Sequence, residues 1–219
     1  GNLGRAVAAA FADRGANLVL VDLNEEALAR VYGSGDKLLF APANLLDAAQ
    51  AGSVAQRAVE RFGRIDVLCN LAGGFRMGEP VHATSTGTLE FLLDLNVRTM
   101  LAMSHAAVPR MLAAGRGKVV NVGAHSAQKG AAMMGAYVAA KSAVIRLTES
   151  MAAELREQGI NVNCVAPTII DTPENRAAMP DADPSRWVAP ADLASVIVFL
   201  ASDSARAIHG AAVPVTGLS

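Results

Sequence analysis

Cysteine, aromatic residues and long apolar runs are scarce in this sequence, and each scarcity removes a class of function. Cys69 and Cys164 are the only cysteines among 219 residues and stand 95 positions apart inside apolar runs, which gives neither a disulfide framework nor the spacing of zinc ligands. Both read as small buried hydrophobes in a reducing compartment, and no metal site is expected. No apolar stretch approaches the roughly 18 to 20 residues that span a bilayer, and no charged-then-apolar leader opens the sequence. These features predict a cytoplasmic protein with no membrane partner. The formal net charge of −1 leaves no basic excess to hold nucleic acid or anionic lipid, so the expected partner is a small-molecule substrate.

What is present is apolar bulk. With 52 % hydrophobic and 18 % charged residues, the chain can bury one sizeable core, and the absence of repeats or Ser/Gly-rich linkers predicts a single domain over residues 1–219. Short β-branched runs bounded by turn residues predict buried strands at Asn17 to Val21, Lys37 to Ala41, Ile65 to Asn70, Lys118 to Val122, Ile160 to Val165 and Ala212 to Val215. Helical patterns lie between them, at about Leu3 to Asp13, Glu25 to Val31, Ala48 to Phe62, Thr88 to Ala113, Gly135 to Gln158 and Ala191 to Ser202. Strand alternating with helix predicts an α/β fold, a doubly wound parallel sheet of Rossmann type that binds ligands at the carboxyl ends of its strands.

The sequence opens on Gly1-Asn2-Leu3-Gly4, which reads as the tail of a glycine-rich turn entering a helix, where backbone N–H groups and the helix dipole hold a pyrophosphate. The first strand of such a fold is missing ahead of it, so about a dozen further residues are expected there. Asp22 ends the next strand eighteen residues after Gly4, near the spacing at which a carboxylate accepts the ribose hydroxyls of NAD and repels the 2′-phosphate of NADP. Asp22 could instead cap the helix that begins near Asn24. No cation neighbours it in Asp22-Leu23-Asn24-Glu25, so NAD(H) is expected over NADP(H).

Tyr137 and Lys141 stand four apart in GAYVAAKSAV, which places them on one face of a helix. A tyrosine working as acid or base near neutrality must lose roughly three units from its ordinary pKa of about 10, and a neighbouring ammonium favours the phenolate.

In order along the chain, the GNLG turn, Asp22, Asn70-Leu71-Ala72-Gly73, Asn96 in DLNVRT, YVAAK and VAPTIIDTP resemble the short-chain dehydrogenase/reductase family over essentially the whole length. The resemblance implies an NAD(P)-dependent oxidoreductase that moves hydride between a nicotinamide and a carbonyl, alcohol or quinonoid imine. Carried over by residue, it makes Tyr137 the acid/base, Lys141 the group that binds the nicotinamide ribose and lowers the tyrosine pKa, and Asn96 the holder of a relay water. It places Gly1, Asn2, Leu3 and Gly4 at the phosphates and Asp22 and Leu23 at the adenosine ribose. Asn44 and Leu45 contact adenine, Asn70, Ala72 and Gly73 lie beside the adenosine, and Pro167, Ile170 and Thr172 meet the carboxamide. Asn44 stands where an aspartate is more usual, and Thr168 where glycine is common.

The main departure is Ala124. The family's substrate-binding serine belongs thirteen residues ahead of the tyrosine, and Ala124 holds that position. Ser126 or His125 is then the available substitute donor, and loss of such a donor costs about 10²- to 10³-fold in rate. The quinoid dihydropteridine reductase branch of the family is similar in having alanine there and in the segment DTPENRAAMPDADPSRW, which predicts a substrate loop over about 171–190. Pro173 and Pro180 bracket a short helix there, and Met179 and Trp187 either cover substrate or pack in the core. Phe75, Met77, Met133 and Met134 face the same choice. Ala124 also supports an alternative, a non-catalytic NAD(H)-binding sensor or regulator. The family commonly assembles as tetramers, so a homotetramer is expected through the helices carrying Asn96 and Tyr137, whose alanines could equally pack on their own sheet.

Overall fold

In the computed structural model, which describes residues 1–219, six parallel strands are interleaved with helices. The strands are β1 (Leu18–Leu20), β2 (Leu38–Phe40), β3 (Val67–Asn70), β4 (Gly117–Val122), β5 (Ile160–Pro167) and β6 (Ala212–Val215). Their hydrogen bonds form two separate pieces, β1-β2 and β3-β4-β5-β6, every pair parallel. A cavity of about 2060 Å³ is lined by residues of both β1 and β3 and runs on past the strand ends to Tyr137.

The helices are α1 (Asn2–Ala12), α2 (Glu25–Tyr32), α3 (Ala48–Phe62), α4 (Thr86–Leu93), α5 (Thr99–Ala114), α6 (Gly135–Leu155), α7 (Pro173–Ala178) and α8 (Pro190–Leu200). Consecutive strand residues face opposite ways, and the core divides accordingly. Val119 and Val162 pack with Val54, Met103 and Leu155 on the α3, α5 and α6 side. Val120 and Val165 pack with Val7, Leu193 and Ile197 under α1 and α8. Each fully buried valine or isoleucine contributes about 1.5–3 kcal/mol, so β4 and β5 anchor both layers. No helix is long and apolar enough to cross a membrane.

Side-chain caps set several helix starts. The Asp47 carboxylate accepts from Ala49 N and Gln50 N, and Ser85 Oγ accepts from Thr88 N. Asn24, not Asp22, caps α2 by accepting from Ala27 N at 3.0 Å, which removes the capping role considered for Asp22.

The helix expected over Thr88 to Ala113 runs from Thr86 to Ala114 and contains one π-turn, at Asp94–Arg98, that the sequence did not announce. Asn96 lies in this turn, and its amide donates to the Leu92 carbonyl at 2.9 Å and to the Gly74 carbonyl at 3.1 Å. A side chain that competes for carbonyls of its own helix widens the turn locally. A smaller correction concerns Cys69, which is half-buried and lines the cavity, whereas Cys164 is buried as expected.

Candidate active site

Tyr137 and Lys141 lie one turn apart near the start of α6, and both line the cavity. Lys141 is 5 % exposed, and its ammonium donates to the Val122 carbonyl at 2.9 Å. Burial pulls its pKa down to about 8, partly countered by Cys164. Burial likewise pushes the Tyr137 hydroxyl up to about 12. The lowered tyrosine value expected from sequence is therefore absent here, because burial alone sets the direction of the Tyr137 shift.

Asn96 is 2 % exposed and stands behind the cavity wall. Besides its two donations, its Oδ1 accepts from Gly74 N at 3.1 Å, so the amide pins the Gly73–Gly74 turn. That turn needs glycine for close approach: a Cβ at Gly73 would meet both Asn96 Oδ1 and Lys141 Nζ. Tyr137, Lys141, Gly73 and Asn96 thus form one contiguous group.

The remaining predicted residues gather at the carboxyl ends of the strands. Gly1 is the N-cap of α1 and Asn2, Leu3 and Gly4 its first turn, with no side chain capping the helix. All four line the cavity, as do Asp22, Leu23, Asn44, Leu45, Asn70, Ala72, Gly73, Pro167, Ile170 and Ser126. Asp22 Oδ1 accepts from Leu23 N at 2.7 Å, and Asn44 Oδ1 accepts from Leu46 N at 3.0 Å. Asn70 is tied into the sheet through a buried chain in which its amide donates to Asn121 Oδ1 at 2.8 Å and the Asn121 amide donates to Thr148 Oγ1 at 2.8 Å.

Two of the candidate residues in the 171–190 segment do not line the cavity. Thr172 is not among the lining residues; its hydroxyl oxygen caps α7 by accepting from Asn175 N at 3.2 Å. Trp187 does not cover the cavity either: it is 7 % exposed, packed where the Gly217 backbone closes over it. Met179, Phe75, Met77 and Met134 do line the cavity. Ala124 is buried at its wall without a hydroxyl, beside His125 and Ser126.

The sequence reading missed three features. Asn121 and Thr148 gave no signal beyond being polar residues within apolar patterns. Arg5 and Asp22 both act electrostatically on Tyr32, Arg5 lowering and Asp22 raising its pKa against a larger upward push from burial. Arg5 of α1, Asp22 and Tyr32 of α2 are thus within electrostatic range of one another through Tyr32, a grouping that their sequence positions do not show. The third is a link from α7 to α1, where Asn2 Nδ2 donates to Glu174 Oε2 at 2.9 Å.

A parallel α/β sheet with a glycine turn entering a helix and a tyrosine–lysine pair at the strand ends defines a nucleotide-type oxidoreductase architecture. Comparison with known proteins agrees: the family model described as enoyl-(acyl carrier protein) reductase matches residues 1–217, and the chain belongs to the short-chain dehydrogenase/reductase family of oxidoreductases. It is 34 % identical to a D-threitol dehydrogenase of Mycolicibacterium smegmatis (strain ATCC 700084 / mc(2)155), over 98 % of this chain and 87 % of that one. It is also 34 % identical to dehydrogenase/reductase SDR family member 6 of Rattus norvegicus, over 98 % of this chain and 91 % of that one. Among solved structures, a gluconate 5-dehydrogenase from Burkholderia cenocepacia J2315 in complex with NADP and tartrate superposes with a TM-score of 0.88 at 29 % identity, covering 98 % and 89 % of the two chains.

Proposed function

We propose that this protein reduces a small carbonyl or imine substrate, or oxidises the corresponding alcohol or amine, with a nicotinamide dinucleotide and with Tyr137 as the acid/base. The observation that carries this reading is the convergence of Tyr137 and Lys141 on the cavity that also receives the uncapped start of α1. When bound, the nicotinamide supplies or accepts the hydride.

The residues fit such a group. Free N–H groups at the start of α1 suit a pyrophosphate, the side chain of Asp22 sits at the end of β1 for the ribose, and Gly73 keeps the wall open beside Lys141. In the reducing direction the Tyr137 hydroxyl gives its proton to the substrate heteroatom as hydride reaches the adjacent carbon, and the Lys141 ammonium steadies the phenolate that results. Asn96 holds the turn beside them and, in this reading, the relay water. Ser126 or His125 stands in for the hydroxyl absent at Ala124. Residues 171–190 act as the substrate loop, with Ile170 and Thr172 near the carboxamide once α7 adjusts.

Asp22 supports NAD(H) over NADP(H), and Arg5, which shares Tyr32 as a neighbour with Asp22, is the cation that would weaken the preference. Exposed Leu89, Phe91, Leu101 and Leu112 on α4 and α5 support a homotetramer, and the reading places the protein in the cytoplasm. The sensor alternative rests on Ala124 alone.

The deciding experiment is NADH oxidation followed by absorbance against ketones, aldehydes, ketoses and quinonoid dihydropterin, for wild type and Tyr137→Phe. Turnover should fall about 10³-fold in the variant with NADH affinity retained. Undiminished turnover would remove Tyr137 from the mechanism.

A further inference from the structure

The end of the cavity beside Tyr137 has an apolar wall that the proton chemistry does not require. The Phe75 ring is 57 % exposed and stands nearly perpendicular to the Tyr137 ring, at 83° with centroids 4.8 Å apart. Met77, also 53 % exposed, lines the same cavity with Met134 and Met179. This wall is held by backbone. Gly74, next to Phe75, is bonded through its N–H to Asn96, and Gly78 N donates to the Met133 carbonyl at 2.8 Å. Met133 itself has φ +63°, the only non-glycine residue in the left-handed region, so the turn that aims Met133 and Met134 is strained and fixed by its surroundings.

Polar groups near this wall are mostly engaged. The Asn175 amide donates to the Ile170 carbonyl at 2.8 Å, the Asn96 amide to Gly74 and Leu92, and the Thr172 oxygen caps α7. The Tyr137 hydroxyl and Ser126 remain, while His125 Nδ1 already meets Gln128 Nε2 at 3.4 Å. A polyol carries a hydroxyl on nearly every carbon and would bury several without partners. A flat conjugated ring needs a partner only at its reacting heteroatom, while its faces suit an aromatic ring and thioether sulfurs.

We infer that Phe75, with Met77 and Met134, selects a planar conjugated cyclic ketone, and discriminates against polyol ketones. This rests on the hydride-transfer reading above. Reduction moves hydride from NADH to the ring carbon and a proton from Tyr137 to the attached oxygen, giving the ring alcohol and NAD⁺.

The test compares isatin and 1-tetralone with D-fructose and dihydroxyacetone, by turnover with NADH and by calorimetric binding to the NAD⁺-loaded protein. The flat ketones should show kcat/KM about 10²-fold above the ketoses. Phe75→Ala should raise their KM and Kd about tenfold, with the ketose KM raised much less. Met134→Ala, which does not touch the tyrosine ring pair, should act in the same direction. Equal or better ketose turnover, no binding of either flat ketone, or equal losses for both classes in Phe75→Ala would overturn the inference. Tyr137→Phe separates the two readings, because it should bind isatin normally without reducing it. If it still reduces isatin, the role of Tyr137 falls while the apolar selection stands.

Discussion

Gly73 lies against Asn96 so closely that a Cβ there would fall 2.9 Å from Asn96 Oδ1, with Lys141 Nζ 3.2 Å away on the other side. The lysine end can swing, but the Asn96 amide is locked by three hydrogen bonds to backbone. Gly73→Ala must therefore move the turn or break that lock. The expected outcome is a loss of about 10²-fold in kcat/KM from misplacement near the tyrosine, with stability lowered by about 1–3 kcal/mol. Steady-state kinetics beside a urea titration checks both.

Lys141 makes stability depend on pH in an unusual direction. Its folded pKa, about 8, lies below the ordinary 10.5, so between those values the unfolded chain binds more protons and this group's contribution to stability rises with pH. Relative to a variant without the ammonium, wild type should gain about 2 kcal/mol between pH 7.5 and 9.5. Cys69 and Cys164, raised by burial to about 12 and about 11 from 9.0, work oppositely above pH 9 in both proteins, as does Tyr137, at about 12 against 10.0, above pH 10. Lys141→Met should therefore lose stability across this window while wild type stays nearly level, whatever the loss of the Val122 bond does to absolute stability. A parallel slope in the variant would assign the effect to another group.

Asn121 is wholly buried and joins Asn70 to Thr148. Replacing it with alanine leaves the Asn70 amide on β3 without its partner, at about 1–3 kcal/mol, and empties buried volume, while the Thr148 hydroxyl on α6 keeps its donation to the Val144 carbonyl at 2.8 Å. We expect Asn121→Ala to lower the unfolding free energy by about 2–4 kcal/mol, and a double variant with Thr148→Val to be less than additive. Chemical denaturation of the four-member cycle measures this.

Asp22 is expected to set cofactor choice by charge. Asp22→Ser removes the repulsion toward a 2′-phosphate and leaves Arg5 nearby, so the NADH-to-NADPH ratio of kcat/KM should fall by about tenfold or more. Kinetics with both cofactors tests it, and an unmoved ratio would place the discrimination elsewhere.

The strands were legible because short β-branched runs between turn residues have few other homes, and all six appear within a few residues of their expected bounds. The glycine turn, Asp22 and the tyrosine–lysine pair were legible as spacing. What escaped depended on three-dimensional context. The interruption at Asp94–Arg98 arises because Asn96 reaches the Leu92 and Gly74 carbonyls, and no local propensity encodes that. Trp187 offered an apolar surface, yet its neighbour Val188 bridges to Ile170, which carries the indole into the core. The raised Tyr137 pKa follows from burial, a property of the folded wall rather than of the residue four positions on. Arg5 and Asp22 both come into range of Tyr32 only in the folded arrangement of α1, β1 and α2.

The Asn70–Asn121–Thr148 chain has a mechanical consequence. Its two bonds join β3 to β4 and β4 to α6, so the strand that leads into Gly73 and the helix that carries Tyr137 are fastened to one central post. A displacement of either is transmitted to the other, and the two walls of the site move as one rigid clamp.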